Sequence, residues 1–464
     1  MALSTRRLER AIENANTYEE WKEAAQAYDA RAGMDRWRVM DQTQRYDYVS
    51  IRVRLDRLRA LRARHDNRGL LFNLNEGIHG NMGGMGSAAL YEKAKFGTKQ
   101  LIVDYVDEIV SALEHLASPD VDEISSEEKL DFFHRADHCF GRSAFMMSGS
   151  GSLLYFHIGV VRTLLEQGLL PDVLSGSSGG SFVGSLVAAQ SDADLVDKLS
   201  VGNLIEELET AIGYSKRSPR YKPSVMPIDD VYRIVERIVP DLTFQEALER
   251  TGRHLNVSIA PAEAHQRSRL LNAITSPNVY IREGILASAA VPGVYPAVTL
   301  AAKDHLGQRQ AYLPSEKWVD GSVSDDMPAK RLARLYGVNH YIVSQTNPHV
   351  IPFVTDSKRR QDTIGVWKDA GTKTARAWVN AGATTLEKPL SLSPALKRAT
   401  NLWLSVINQD YVGDINILPS NRFFNPFRVL AFLTEKEIRE LIRAGEKATW
   451  PKIEMIRIQT KISR

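Results

Sequence analysis

Apolar side chains recur at helical spacing through the first 140 residues and again beyond residue 350. The stretch between them mixes short apolar runs with helical ones. In the first part, Thr17 and Glu20 form a capping pair ahead of Trp21, Ala25 and Tyr28, and Gly33 is placed to stop that helix. Ile51, Leu55 and Leu58 share one helix face; Ile102, Val106, Ile109, Val110 and Leu113 share another, in a helix expected over about 98–116. Ser125 and Glu128 cap a shorter helix before Phe132 and Phe133.

From residue 143 the texture changes. Short strands are expected at Phe145-Met146-Met147, Val173-Leu174, His254 to Ala260, Trp318-Val319-Asp320 and Tyr341 to Ser344, separated by helical segments. That alternation predicts a layered α/β domain over 141–350, behind a helical domain over 1–140. Residues 193–250 read as helical, with a basic polar insert from Lys216 to Lys222. The sequon at Asn256 falls inside a strand, so it is not expected to carry a glycan. Residues 351–464 read as a helical extension packing on the α/β domain, with Thr434 and Glu437 capping a helix through Ile438, Leu441 and Ile442. Trp403, Phe423, Phe424 and Phe427 in that extension are expected to serve core packing, or else an apolar surface for lipid entry.

Composition narrows the function classes. A net charge of +3 over 464 residues gives no global case for nucleic acid. The single cysteine, Cys139, excludes an internal disulfide and suits a reducing compartment. The first residues lack the apolar core of a secretory signal, and no run of 18 apolar residues appears. A cytoplasmic protein whose membrane contacts are peripheral is expected. Seven arginines between Arg52 and Arg68 could lie on an anionic lipid surface; the simpler reading is a solvated helix face paired with acidic neighbours such as Asp56. The glycine-rich segment from Asn75 to Gly86 lacks the strand, helix and lysine of a phosphate loop. The spacing of His115 and Asp120 matches an acyl-transfer pattern that chance alone supplies about once at this composition. No residue pattern calls for a cofactor or a metal.

The candidate chemistry centres on Gly176-Ser177-Ser178-Gly179-Gly180, a Gly-x-Ser-x-Gly match between a short strand and a helix carrying Phe182, Val183, Leu186 and Val187. That setting makes Ser178 a candidate nucleophile on a strained turn. Upstream, Ser148-Gly149-Ser150-Gly151-Ser152 links a strand to a helix, a shape that presents backbone N–H groups to an anion. The base has two candidate forms. One is a histidine completing a triad, for which His340 and His349 are the good candidates; the other is a carboxylate acting directly, for which Asp320 at a strand end stands out.

Several ordered motifs together resemble the patatin-like phospholipases: Gly149 to Ser152 with His157 to Val160, Gly176 to Gly180, Ala287-Ser-Ala-Ala-Val-Pro-Gly293, and Asp320-Gly321-Ser322. More narrowly, Tyr46 to Tyr48, Gly97 to Lys99, Asp320 to Pro328, Val338 to Gln345 and Asn347 to His349 are similar to the triacylglycerol lipases of fungal lipid droplets and plant seed oil, which carry a helical N-terminal domain. The resemblance implies a three-layer α/β/α domain and a serine lipid acyl hydrolase acting on glycerolipids at a membrane or lipid-droplet surface. It implies Ser178 as nucleophile, Asp320 as general base, Gly176 and Gly180 shaping the elbow, and amides around Gly149, Ser150 and Gly151 holding the oxyanion. His340 and His349 then become structural, and His157 a packing residue.

Two departures from the family's usual pattern stand out. Ser150 and the pair Leu153-Leu154 occupy places where a glycine and an Arg-Gly pair are usual. Strain is expected at Ser150 if the loop needs positive φ there, and with it a weakened enzyme or a lipid-binding scaffold. Loss of the arginine leans toward neutral glycerides. Gly179 replaces a commoner alanine, a change expected to be sterically harmless and to loosen the elbow.

Overall fold

The computed structural model describes residues 4–214, 225–263, 266–323, 325–347, 413–420 and 429–464. The insert from Lys216 to Lys222, His349, Trp403, Phe423, Phe424 and Phe427 lie outside the described residues. The chain groups into two compact units.

The first unit comprises 1–143, 337–340 and 449–464. Its helices include Tyr18–Arg31, Tyr48–Ala63, Gln100–Ala117 and Ser126–Phe140, where the apolar spacing put them. Ile51, Leu55 and Ile102 are fully buried, and Leu58 and Ile109 nearly so. The arginine run is a paired surface: Arg52 meets Asp41 at 2.6 Å, Arg59 and Arg62 meet Glu108 at 3.5 and 3.1 Å, and Arg68 meets Glu128 at 3.8 Å. Buried charges are satisfied rather than left bare. Asp29 accepts from Arg38 and from the Lys95 and Phe96 amides, while Lys99 Nζ donates to the Trp37 and Met40 carbonyls, each at 2.6 Å. The final helix, Ile453–Thr460, belongs to this unit and not to an extension of the α/β domain: Tyr18 donates to Glu454, and Lys461 pairs with Asp107 at 2.6 Å.

The second unit comprises 144–336 and 341–448 and carries the sheet. Its strands are β1 (Arg142–Met147), β2 (Val173–Gly176), β3 (His254–Pro261), β4 (Arg269–Leu271), a separate hairpin of β5 (Ala301–Lys303) and β6 (Arg309–Ala311), β7 (Trp318–Asp320), β8 (Val338–Ser344) and β9 (Ile415–Ile417). The main sheet runs β4-β3-β2-β1-β8-β9, with β7 added against β3. Neighbours β1, β2 and β3 are parallel, as are β8 and β9, while β4 and β7 run antiparallel to β3. The expected strands are present. Four that periodicity did not reveal (β4, β5, β6 and β9) are three residues each, too short to display a repeat. Strand β9 corrects the all-helical reading of the C-terminal part: Ile415 and Ile417 are buried, and Ile415 pairs with Ile342. Asn256, the sequon residue, is fully buried on β3, bonding the Leu174 carbonyl and the Tyr336 hydroxyl.

Register aligns the ends of the strands. Met147 pairs with Gly176, and Gly176 with Val257, so the loops leaving β1 and β2 emerge side by side. Helix Leu154–Glu166 follows the first loop and Gly179–Ala189 the second; the latter is buried along its whole length. Helix Leu154–Glu166 crosses Glu435–Thr449 with backbone nearly touching backbone. A Cβ on Gly159 would stand 1.9 Å from the Ile442 carbonyl oxygen, and one on Gly445 2.1 Å from that of Phe156.

Ala has about 1 kcal/mol more helix propensity than Gly, yet forcing these helices apart costs more, on the order of 1–3 kcal/mol for added core volume. Gly159→Ala is therefore expected to lower the melting temperature of the full chain, and Gly159→Val to lower it further. A melting temperature at or above that of the unmodified chain would contradict the crossing.

Candidate active site

Ser178 begins the elbow helix with φ +49° and ψ −124°, a conformation non-glycine residues avoid. Glycines make the bend feasible. A Cβ at Gly176 would lie 2.3 Å from the Gly180 carbonyl oxygen, and one at Gly180 2.4 Å from that of Met147. Side chains then brace the turn. The Ser178 amide donates to Ser288 Oγ at 2.8 Å, Ser288 Oγ donates to the Ser258 carbonyl at 2.7 Å, and Ser181 Oγ donates to the Ser178 carbonyl at 2.6 Å. Ser288 comes from the Ala287 to Gly293 stretch and was not singled out by sequence reasoning.

Asp320 ends β7, opposite Ile259 of β3. Its side chain is buried and accepts from the Ser322 amide at 2.8 Å, and the Ser178 hydroxyl is near enough to favour its charged form. The following Gly321 has to lack a side chain, because a Cβ there would sit 2.1 Å from the Ser258 carbonyl oxygen. Burial pushes the Asp320 carboxyl up to about 6, against the downward pull of Ser322 and Ser178.

A second buried carboxylate, Asp326, was quoted in sequence only as part of a motif. Its Oδ1 accepts the Gly149 amide at 2.8 Å and the Ser177 hydroxyl, and Oδ2 accepts from Asn347 at 3.4 Å. One side chain thus ties the loop after β1 to the residue preceding Ser178. Burial raises its carboxyl to about 7, with the Asp320 charge a smaller contributor in the same direction. The bond to Asp326 also corrects one expectation: the Gly149 N–H is committed to a carboxylate and leaves the set of oxyanion donors. Among the described residues, the amides of Ser150, Gly151 and Gly179 bond nothing.

The loop departs from expectation at two further places. Ser150 has φ −140°, an ordinary value, and it is Gly151 that takes the positive φ, +50°, so the serine introduces no backbone strain. Gly179 is not interchangeable with alanine: a Cβ there would lie 2.2 Å from Ser150 Oγ and 2.8 Å from the Gly151 carbonyl oxygen.

The histidines take other work. His340 spends its ring nitrogens on Ser143 and Gln459, at 2.9 and 2.8 Å. His115 bonds Asn67 in the helical unit. His157 is fully buried, bonding Ser344 at 2.7 Å and the Ser148 carbonyl and Thr346 at 3.1 Å, and burial pushes it down to about 4. It is therefore neutral at physiological pH, a packing and hydrogen-bonding residue behind the loop. Among the described residues, no group of three or more His, Cys, Asp or Glu side chains is placed to hold a metal ion.

Ser178, Gly179 and Gly151 open onto a cavity walled by Leu154, Phe182, Leu208, Val235, Ile285 and Ile438. Its described lining includes no charged side chain. The segment after residue 429 closes one side, where the Ser152 amide and hydroxyl donate to the Val429 and Ala431 carbonyls, each at 2.5 Å. Such a cavity suits an extended apolar chain presented to the serine.

Comparison with known proteins agrees with this architecture. Residues 145–333 match the model of the patatin-like phospholipase family, and residues 2–138 match a domain of unknown function, DUF3336. Triacylglycerol lipase ptl3 of Schizosaccharomyces pombe is 31% identical over 470 residues, covering 98% of this chain and 95% of the relative. Triacylglycerol lipase ptl2 of the same yeast is 31% identical over 476 residues, covering 99% of this chain and 74% of the relative. A patatin-like phospholipase domain-containing protein of Cryptococcus neoformans is 30% identical over 476 residues, covering 99% of this chain. The chain spans only 54% of the length of that protein, and 50% and 64% of two other fungal relatives. With a catalytic-domain match placed on the serine elbow and a relative aligned over almost its full length, the chain belongs to the patatin-like phospholipase family.

Proposed function

We propose that this protein hydrolyses fatty-acyl esters of glycerolipids, with Ser178 as nucleophile and Asp320 as its base. The nearness of these two side chains, one of them on the wall of an apolar cavity, supports the reading. Ser178 Oγ attacks the ester carbonyl carbon while Asp320 takes the hydroxyl proton. Collapse of the tetrahedral species breaks the bond to the glyceryl oxygen, which leaves with that proton, and an acyl-enzyme remains. Asp320, ionised again, then takes a proton from water as the water oxygen bonds the acyl carbon; the bond to Ser178 Oγ breaks, Oγ takes that proton back from Asp320, and the fatty acid leaves. A carboxyl raised to about 6 serves both halves, basic enough to accept the proton and acidic enough to return it.

Neutral glycerides are the favoured substrate class. The described lining of the cavity offers no cation for a phosphate, and Leu153-Leu154 stand where the family usually has an arginine. Two relatives are named triacylglycerol lipases. The lipid would be met at a membrane or droplet surface by a peripheral, cytoplasmic protein; among the described residues no helix is long and apolar enough to cross a membrane. The alternative, a scaffold that binds lipid without cleaving it, drew on strain at Ser150, and the ordinary φ there removes its motive.

Ser178→Ala is expected to abolish release of fatty acid from a triacylglycerol emulsion and labelling by a fluorophosphonate; labelling that persists in this variant refutes the assignment, and an unmodified chain that binds lipid without labelling favours the scaffold. Asp320→Asn should lower kcat by about 10²–10⁴-fold, whereas His340→Ala should leave it within an order of magnitude. Because Asp320 has to be ionised to accept the proton, kcat/KM should fall as pH drops through about 6 and level off above it. A flat profile between pH 5 and 7 would point to another base. Asp326→Ala should cut kcat by about 10–10²-fold by releasing both loops. It should also destabilise the fold by about 1–3 kcal/mol through the unpaired donors it leaves; Asp326→Asn, which keeps an acceptor, should be milder on both counts.

A further inference from the structure

Three tyrosines line the cavity beside Ser178, and two of them spend their hydroxyls on the main chain. Tyr295 donates to the Met226 carbonyl at 2.8 Å, and Tyr214 to that of Leu433. Tyr155 differs: its hydroxyl bonds nothing among the described residues. It is the second residue of helix Leu154–Glu166 and lines the cavity together with Leu154 and Ile158. This end of the helix abuts the nucleophile's turn, since Leu154 Cβ lies 3.1 Å from the place a Cβ on Gly179 would take. Helical side chains lean toward the N-terminal end of their helix. Here that end is the turn Gly151–Leu153, whose Gly151 lines the same cavity. Burial raises the Tyr155 hydroxyl well above the usual tyrosine value, with nearby Tyr214 a smaller contributor, so it stays protonated and able to donate. Buried hydroxyls normally have a partner. Against walls of leucine, isoleucine, valine and phenylalanine, that partner has to come with the ligand.

We propose that Tyr155 is a specificity-determining residue: its hydroxyl donates to an oxygen of the substrate's glyceryl part, a neighbouring ester carbonyl or a free hydroxyl, and so selects glycerides over simple esters. The proposal rests on the acyl-hydrolase reading above. A saturated acyl tail offers only methylene and methyl groups to the cavity wall, so it leaves a donor unsatisfied. A glyceride differs from a simple ester of the same acid in the further oxygens that its leaving group carries close to the scissile bond. A donor on the wall beside Ser178 can meet one of them. A ligand lacking that oxygen leaves the hydroxyl desolvated and unpaired. Because the accepting oxygen does not react, the bond is present in the ground state and the transition state alike, and it acts on KM rather than on kcat.

The test uses the full chain with butyrate esters: p-nitrophenyl butyrate, which has no glyceryl group, tributyrin and monobutyrin. Tyr155→Phe removes the hydroxyl and keeps the ring. It is expected to raise KM for tributyrin about 3–10-fold, the worth of one neutral hydrogen bond. Its kcat on tributyrin, and both constants on p-nitrophenyl butyrate, should stay within about twofold of the unmodified chain. The melting temperature should hold or rise, because the variant loses a hydroxyl that the free protein leaves unpaired. A lower melting temperature would mean that the hydroxyl is bonded within the protein, and would overturn the proposal. A rise in KM confined to tributyrin identifies the acceptor as a neighbouring ester carbonyl, and one shared with monobutyrin as a glyceryl hydroxyl; either supports it. An unchanged KM for tributyrin would make Tyr155 a space-filler, and an equal loss on p-nitrophenyl butyrate would put its hydroxyl on the scissile ester itself; each overturns the proposal. An unmodified chain that cleaves none of these esters and takes no fluorophosphonate label would instead overturn the hydrolase reading, and this proposal with it.

Discussion

The constraint behind the whole site is a backbone one: Ser178 is held at φ +49°, and most nearby packing keeps it there. Strain of this kind costs about 1–3 kcal/mol and survives only where its surroundings over-determine it. Here the parallel register of β1, β2 and β3 delivers two loops to one sheet end, glycines 176 and 180 allow the chain to double back, and Ser288 and Ser181 hold the turn from opposite sides. Asp320 arrives from β7, which among the described strands pairs with β3. Ser178 and Asp320 are thus brought together from segments 142 residues apart by two strand contacts, β2 with β3 and β3 with β7, rather than by any local motif.

Two carboxylates with different work share this end of the sheet. Asp320 lies by Ser178, while Asp326 clamps the Gly149 amide and the Ser177 hydroxyl. Both are pushed upward mainly by burial. What separates them is their neighbours: Asp326 ties Ser177 to the loop after β1, while Asp320 lies by Ser178, whose side of the turn opens onto the cavity.

Much of this was legible in the amino-acid sequence because it depends on local chemistry. Gly176 to Gly180 announces its turn through small residues, and Thr434 with Glu437 announces a helix start through a reciprocal cap that the structure reproduces. Asp320 was visible because a glycine follows a strand-like run. What stayed hidden depends on contacts between distant segments. Asp325 and Asp326 are chemically identical in sequence, and only the fold turns the second one inward, where it is 1% exposed. Strand β9 needed β8 beside it before three residues could count as a strand. The mutual dependence of Ser150 and Gly179 is a shared volume, a quantity with no signature in either residue's neighbours.

The wall formed after residue 429 has a temporal meaning. Ser178, Asp320 and the loop after β1 are all complete by residue 326, but the Val429 and Ala431 carbonyls that hold Ser152, and the Ile438 side chain that lines the cavity, come more than a hundred residues later. During synthesis from the N-terminus, a chain would therefore hold Ser178 on its strained turn well before the wall of the cavity beside it exists.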